Sequence, residues 1–267
     1  MLVRRAAFWL FWSVVFMTAQ SANPRPTFWG RATIQQTADG RILLRANDPR
    51  PLDQALLALG QEYGWTLDYE DPPYSTYELV DDTDPAWRES HPNEKGVTRV
   101  AGSTFASEFA LPADLSAGSL DEERVINRVL LDYSASSNPG RFTLKKENVN
   151  RFSVVGVGIK DATGSEKDII PVLDVRIKLP SEERSLNDTL ELVLRGVSEK
   201  TGYRIEVGTA PENLMLKTKI GLRGEEQPAR DIMSRIADAS EVPLAWRLLY
   251  DADSRAYFMN LYVVAHK

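Results

Sequence analysis

The feature that most constrains this chain is a pattern stated twice. In "PLDQALLALGQEYGWTLDYEDPPY" (Pro51 to Tyr74), Leu52, Ala55, Leu56 and Leu59 fall at i, i+3, i+4 and i+7, one face of a helix. Pro51 suits the first turn of that helix, and Gly64 is placed to stop it. Trp65, Leu67 and Tyr69 then alternate with Thr66 and Asp68, the periodicity of a strand, until Pro72 and Pro73 end it. A gapless shift that carries Leu52 to Leu190 carries the rest of the face to Val193, Leu194 and Val197. The same shift takes Gly64 to Gly202, and the strand to Tyr203, Ile205 and Val207.

The flanking segments follow suit. A strand precedes each helix: Ile42 to Ala46, and Leu173, Val175, Ile177 and Leu179. A third strand is expected at Phe105, Ser107, Phe109 and Leu111, and again at Leu216, Thr218, Ile220 and Leu222. Second helices are expected over Leu120 to Ser134 and over Pro228 to Ala239. Each half closes with a hairpin, Phe142 to Val157 around "KENVN" and Trp246 to Val264 around "DADS", turns rich in Asn, Asp and Ser. The fold class expected is α+β: two tandem small domains, each a short mixed sheet with two helices in the order strand-helix-strand-strand-helix-hairpin. The boundaries read are 30–158 for the first domain, 159–170 for a polar linker around "GVGIKDATGSEKD", and 171–267 for the second. Each is large enough to own a core, so a fragment from Ile169 onward is expected to fold alone.

The second half resembles the secretin and TonB-receptor N-terminal (STN) domain. The resemblance lies in "SLNDTLELVLRGVSEKTGYRIEV", in "LKTKIGLRGEEQPARDIMSRIADASEVPLAWRL" and in the terminal "AYFMNLYVV", covering Pro171 to Lys267. The first half shares only the opening motif. The resemblance implies a periplasmic protein–protein module without catalytic residues. The barrel and the pore segment of the family's usual hosts are absent from the chain.

The N-terminus agrees with export. Arg4 and Arg5 precede an uncharged, mostly apolar run from Ala6 to Ala19, and "AQSA" offers small residues for cleavage near Ser21 or Ala22. That is a secretory signal, read over 1–22, and the apolar run is short for a membrane span. The expected location is periplasmic or secreted, with no stable membrane span after cleavage and an uncleaved anchor as the alternative. The net charge is −6, which disfavours non-specific nucleic-acid binding. The absence of cysteine excludes disulfides, thiolate metal sites and cysteine nucleophiles. With two histidines, a zinc site lacks favourable ligands, and no cofactor or metal is expected.

The halves differ most in one segment. Between the second and third strands the C-terminal half spends only Gly208 to Met215, whereas the N-terminal half spends residues 70–102. Long loops are more often functional or disordered than merely connecting. Here prolines disfavour regular elements, while Tyr74, Tyr77 and Trp87 offer aromatic anchors for a partner. The bland alternative folds the segment back onto its own domain. Glu78, Asp81, Asp82 and Asp84 form its acidic run, read as solvated acid because EF-hand spacing is absent. Ser90, His91 and Asp84 spell a triad only on paper, since adjacent residues rarely face each other productively and no G-x-S-x-G occurs. Lys217, Lys219 and Arg223 are read as cations on one strand face, open to solvent or to an acidic partner.

Two functions are therefore expected. The first is an exported interaction or scaffold module that binds an envelope protein through the long segment and a free sheet edge. On that reading the segment can be shortened without loss of the fold. The alternative is a hydrolase or small-ligand-binding protein with a site between the domains, capped by residues 70–102.

Overall fold

A computed structural model describes residues 32–47, 49–110 and 122–264. The signal sequence, Leu111, Leu120 and His266 lie outside them. The N-terminal half contains β1 (Thr33–Gln36), β2 (Arg41–Ala46), α1 (Pro51–Tyr63), β3 (Thr66–Glu70), β4 (Leu79–Asp81), α2 (Pro85–Ser90), β5 (Thr98–Val100), β6 (Phe105–Ala110), α3 (Glu122–Ser134), β7 (Arg141–Asn148) and β8 (Arg151–Lys160). There follow β9 (Glu166–Asp168), β10 (Arg176–Lys178), β11 (Glu183–Ser185), α4 (Leu186–Thr201), β12 (Arg204–Thr209), α5 (Glu212–Lys217) and β13 (Lys219–Gly221). β14 (Glu226–Pro228), α6 (Ala229–Asp238), β15 (Leu244–Asp251) and β16 (Ala256–Val263) complete the chain. The protein is mixed α+β.

The repeated motif takes the same local form at both places. Leu52, Ala55, Leu56 and Leu59 are buried on α1, and Leu190, Val193, Leu194 and Val197 on α4. Gly64 and Gly202 end these helices in the left-handed region, at φ 71° and 75°, where a side chain would be strained. Ser185 caps α4 by accepting the Asp188 N–H, leaving one fewer helix donor unsatisfied.

Each half keeps small sheets of its own, β1-β2-β6 in the first and β10-β14 and β11-β13 in the second, but the main sheet is shared. One sheet runs through both in the order β12-β16-β15-β3-β8-β7, with β9 beside β8. In each half the strand after the first helix pairs parallel with the last strand of the hairpin, β3 with β8 and β12 with β16. The halves meet where β15 pairs parallel with β3, Arg247 opposite Tyr69 and Leu248 opposite Glu70. Leu67 and Tyr69 belong to the core beneath α1 and α3, whereas Trp246 and Leu248 belong to that beneath α4 and α6. Paired residues share a face. The two helix layers therefore cover opposite faces of the sheet. Strand direction reverses as well, because β15 runs with β3 but against its own β16. A half turn about an axis across the strands, plus a translation along it, relates one half's strands to the other's.

Three expectations need correction. Residues 159–170 are not a linker: β8 continues to Lys160 and β9 folds back on it, Gly158 opposite Asp168. Gly156, at the head of the same polar run, lies within β8, and a Cβ there would stand 2.5 Å from Pro72, so the glycine admits the proline. Leu216 and Lys217 fall in α5, not on a strand, because the run from Glu212 to Lys217 buries Met215 on a helical turn. Residues 70–102 carry a 3-10 turn (Thr76–Glu78), β4, α2 and β5 despite their prolines, since Pro85 sits at the start of α2, where its missing N–H costs nothing.

Candidate functional site in the inserted segment

The inserted segment starts from a buried carboxylate. Asp71 Oδ1 accepts hydrogen bonds from the Tyr69 and Tyr74 hydroxyls at 2.8 and 3.0 Å. Its Oδ2 accepts from Arg50 Nε at 2.6 Å and from the Tyr250 backbone N–H at 2.9 Å. Burial pushes both phenols well above their ordinary range, and the Asp71 charge pushes them further, so they remain donors. Burial opposes the charge on Arg50, but the Asp71 carboxylate outweighs it and holds the guanidinium above its usual value.

Glu78 is the second anchor. Its side chain receives the N–H groups of Gly140 and Lys160 at 3.0 and 3.1 Å and that of Ser75 at 3.2 Å. The motif Ser75-Thr76-Tyr77-Glu78 is a capping box, with Ser75 the N-cap of the 3-10 turn. The segment is thus bolted to the β7–β8 hairpin at one end. At its other end Asp253 binds Thr98 through backbone and hydroxyl at 2.9 and 3.0 Å and pairs with Lys95 at 3.1 Å. Partial burial works against the Asp253 charge, but these donors hold its carboxyl below the ordinary range.

Between the anchors β4 and β5 form a two-stranded ribbon, Leu79 opposite Val100. Val100 and Tyr74 enter the core beneath α4 and α6, and Leu79 packs against it. Shortening the segment past Tyr74 or Val100 would take them out of that core, so a cost in stability is expected where the sequence alone suggested none. Val97 is 58% exposed, Tyr77 56% and Val80 38%. Beside the ribbon lies a cleft of about 450 Å³, with Arg50, Asp82, Val97, Arg99 and Tyr250 among the residues that line it. Its described lining holds no histidine, lysine or serine. Asp82 and Arg99 pair with each other at 2.8 Å.

The structure sorts the candidate residues plainly. Tyr74 is buried and structural, Tyr77 is exposed, and Trp87 is half-buried, stacked on His91 with centroids 4.7 Å apart. Ser90 and His91 touch at 2.9 Å, but the Ser90 hydroxyl also bonds the carbonyls of Ala86 and Trp87. Asp84 meanwhile caps α2 through the Trp87 N–H, so no triad assembles. Asp81 pairs with Arg88 at 2.6 Å, which resolves the acidic run into ion pairs and caps. Lys217, Lys219 and Arg223 are all exposed, but Lys217 ends α5, Lys219 opens β13 and Arg223 lies beyond it, so they share no strand face.

Sequence reasoning missed Arg50, Asp71 and Asp253, whose partners lie far away in the chain. It also read Glu78 and Asp84 as solvated acid, although S-x-x-E for the first and Asp-Pro at a helix start for the second were signals of their capping roles. Comparison with protein-family models, with curated proteins and with solved structures finds no match to this chain. Among the described residues no helix is long and apolar enough to cross a membrane.

Proposed function

We propose that the protein is an exported, non-catalytic interaction module built from two STN-like halves, and that it holds an envelope protein on the exposed apolar side chains at the β4–β5 ribbon. The duplication is supported by the matched helix faces, the matched left-handed glycines and the matched strand order of the halves. Export is supported by the leader sequence.

The observation that carries the binding role is the ribbon itself. A segment with no equivalent in the C-terminal half is anchored at both ends by buried or half-buried carboxylates, yet leaves Tyr77, Val80 and Val97 exposed, the last of them at the rim of the cleft. A rigid scaffold presenting apolar side chains is what an interface core requires. Affinity capture from envelope extract tests the reading. Wild-type protein retains a partner, and Val97→Asp loses it while keeping its melting temperature. Equal retention by Val97→Asp contradicts the assignment.

The cleft supports a second reading as a small-ligand site, because it lies where the segment caps the contact of the two halves. A ligand that raises the melting temperature of wild type but not of Arg99→Ala identifies that case.

A further inference from the structure

The joint between the halves is itself a mode of association, and the sheet ends where that mode could repeat. β15, the first strand of one hairpin, pairs parallel with β3, the strand after the first helix of the other half. The corresponding strands at the two ends, β7 and β12, each have one strand neighbour among the described residues. The half-turn-and-translate relation places β7 toward an incoming β12 as β15 stands toward β3. From this geometry we propose that a second copy of this chain adds its β12 to β7, extending the sheet head to tail. The proposal rests on the duplication and makes no use of the ribbon surface, so the two readings can fail separately.

The backbone supports it. At the internal joint, Trp246 and Tyr250 turn their N–H groups toward the N-terminal half, where Asp68 and Asp71 accept them at 2.9 Å. Leu248 between them accepts the Asp71 N–H at 2.9 Å. The hairpin registers, with Leu248 opposite Met259 and Leu144 opposite Val154, make Phe142, Leu144 and Lys146 the matching positions of β7. The same amide and carbonyl groups there face the open edge, a template for one more strand.

Charge selects the occupant. The β7 edge carries Arg141, Lys145 and Lys146, which pair within the chain with Asp168, Asp174 and Glu123, and pairing β7 with another β7 still sets these like charges together. The repeat shift carries Arg50, Asp53 and Asp68, the acceptor side of the internal joint, to Asp188, Glu191 and Glu206. The β12 side thus presents three acids to an edge with three cations, Glu206 also pairing with Arg204 on its own strand at 3.1 Å. Arg50 reaches the Tyr250 carbonyl at the internal joint, and the correspondence sets Asp188 beside Lys146. An interface of this kind does not close on itself, so assembly proceeds by addition.

Sedimentation velocity of the protein, purified as the cell exports it, tests this from micromolar to millimolar concentration. Wild type shows a mass that rises with concentration and falls with added salt. Lys146→Glu and Asp188→Lys each weaken association about tenfold, a loss of roughly one charge contact, and the double swap restores it. Circular dichroism confirms that each variant is folded, and Arg141→Glu serves if Lys146→Glu is not. A monomer throughout the concentration range overturns the proposal, as does association that neither substitution changes.

Discussion

Asp68 and Arg151 meet at 3.0 Å with both side chains buried, between strands that come from opposite ends of the N-terminal half. The guanidinium also donates to the Leu244 carbonyl at 2.8 Å, and Asp68 accepts the Trp246 N–H, so the pair ties β3 and β8 to β15. Breaking a buried pair from one side leaves an uncompensated charge. Arg151→Met should cost about 3–5 kcal/mol in urea unfolding, and Asp68→Asn in the same background should recover part of that loss.

The same joint predicts that the halves unfold together. Arg230 reaches Glu70 and Arg247 reaches Asp53, the latter at 2.7 Å, and all four residues are buried. Cutting before Ile169 removes both acids and also takes Tyr74 and Val100 out of the C-terminal core. A fragment of residues 169–267 should show little near-ultraviolet circular dichroism, and the whole protein should unfold in one transition by every probe. Two separated transitions would show that each half is self-sufficient, as the repeat alone suggests.

Glu122, at the start of α3, supplies a pH signature. Burial pushes its carboxyl up to about 8, only partly opposed by Lys146, and one oxygen has no hydrogen-bond partner among the described residues. The folded state therefore holds a proton that the unfolded state has already lost. Stability falls as pH rises from the ordinary carboxylate range to about 8, then levels. Glu122→Gln should match wild type in acid and exceed it in stability above that range, as measured by denaturant midpoints across pH.

The core of the repeat can be tested by truncation. Leu194 is buried on the inner face of α4, and Leu194→Ala should cost about 2–5 kcal/mol. Val149, 81% exposed at the β7–β8 turn, is the control, and Val149→Ala should change the denaturant midpoint little.

Local pattern made α1, α4, α6 and both hairpins legible, because each buries one stripe or one alternating face and the periodicity is written in consecutive residues. Joining the halves into one sheet was not legible. It depends on Asp68, Glu70, Asp71 and Arg151, which read locally as ordinary solvated charges and become buried only once β15 lies beside β3. The inserted segment failed for a related reason. Its prolines suggested irregular chain, but Pro85 starts a helix and Pro72 packs on Gly156, a contact between residues far apart in sequence. At the candidate site Tyr77 and Trp87 were legible as aromatics, and only the fold distinguishes the exposed ring from the stacked one.

The central claim is that the exposed apolar side chains at the β4–β5 ribbon hold a partner in the cell envelope. A photo-crosslinking residue at Val97, compared with one at Val149, measures this in intact cells. The account predicts a discrete envelope-protein adduct from position 97 and none of that size from position 149. No adduct from position 97, or the same adducts from both positions, would contradict it.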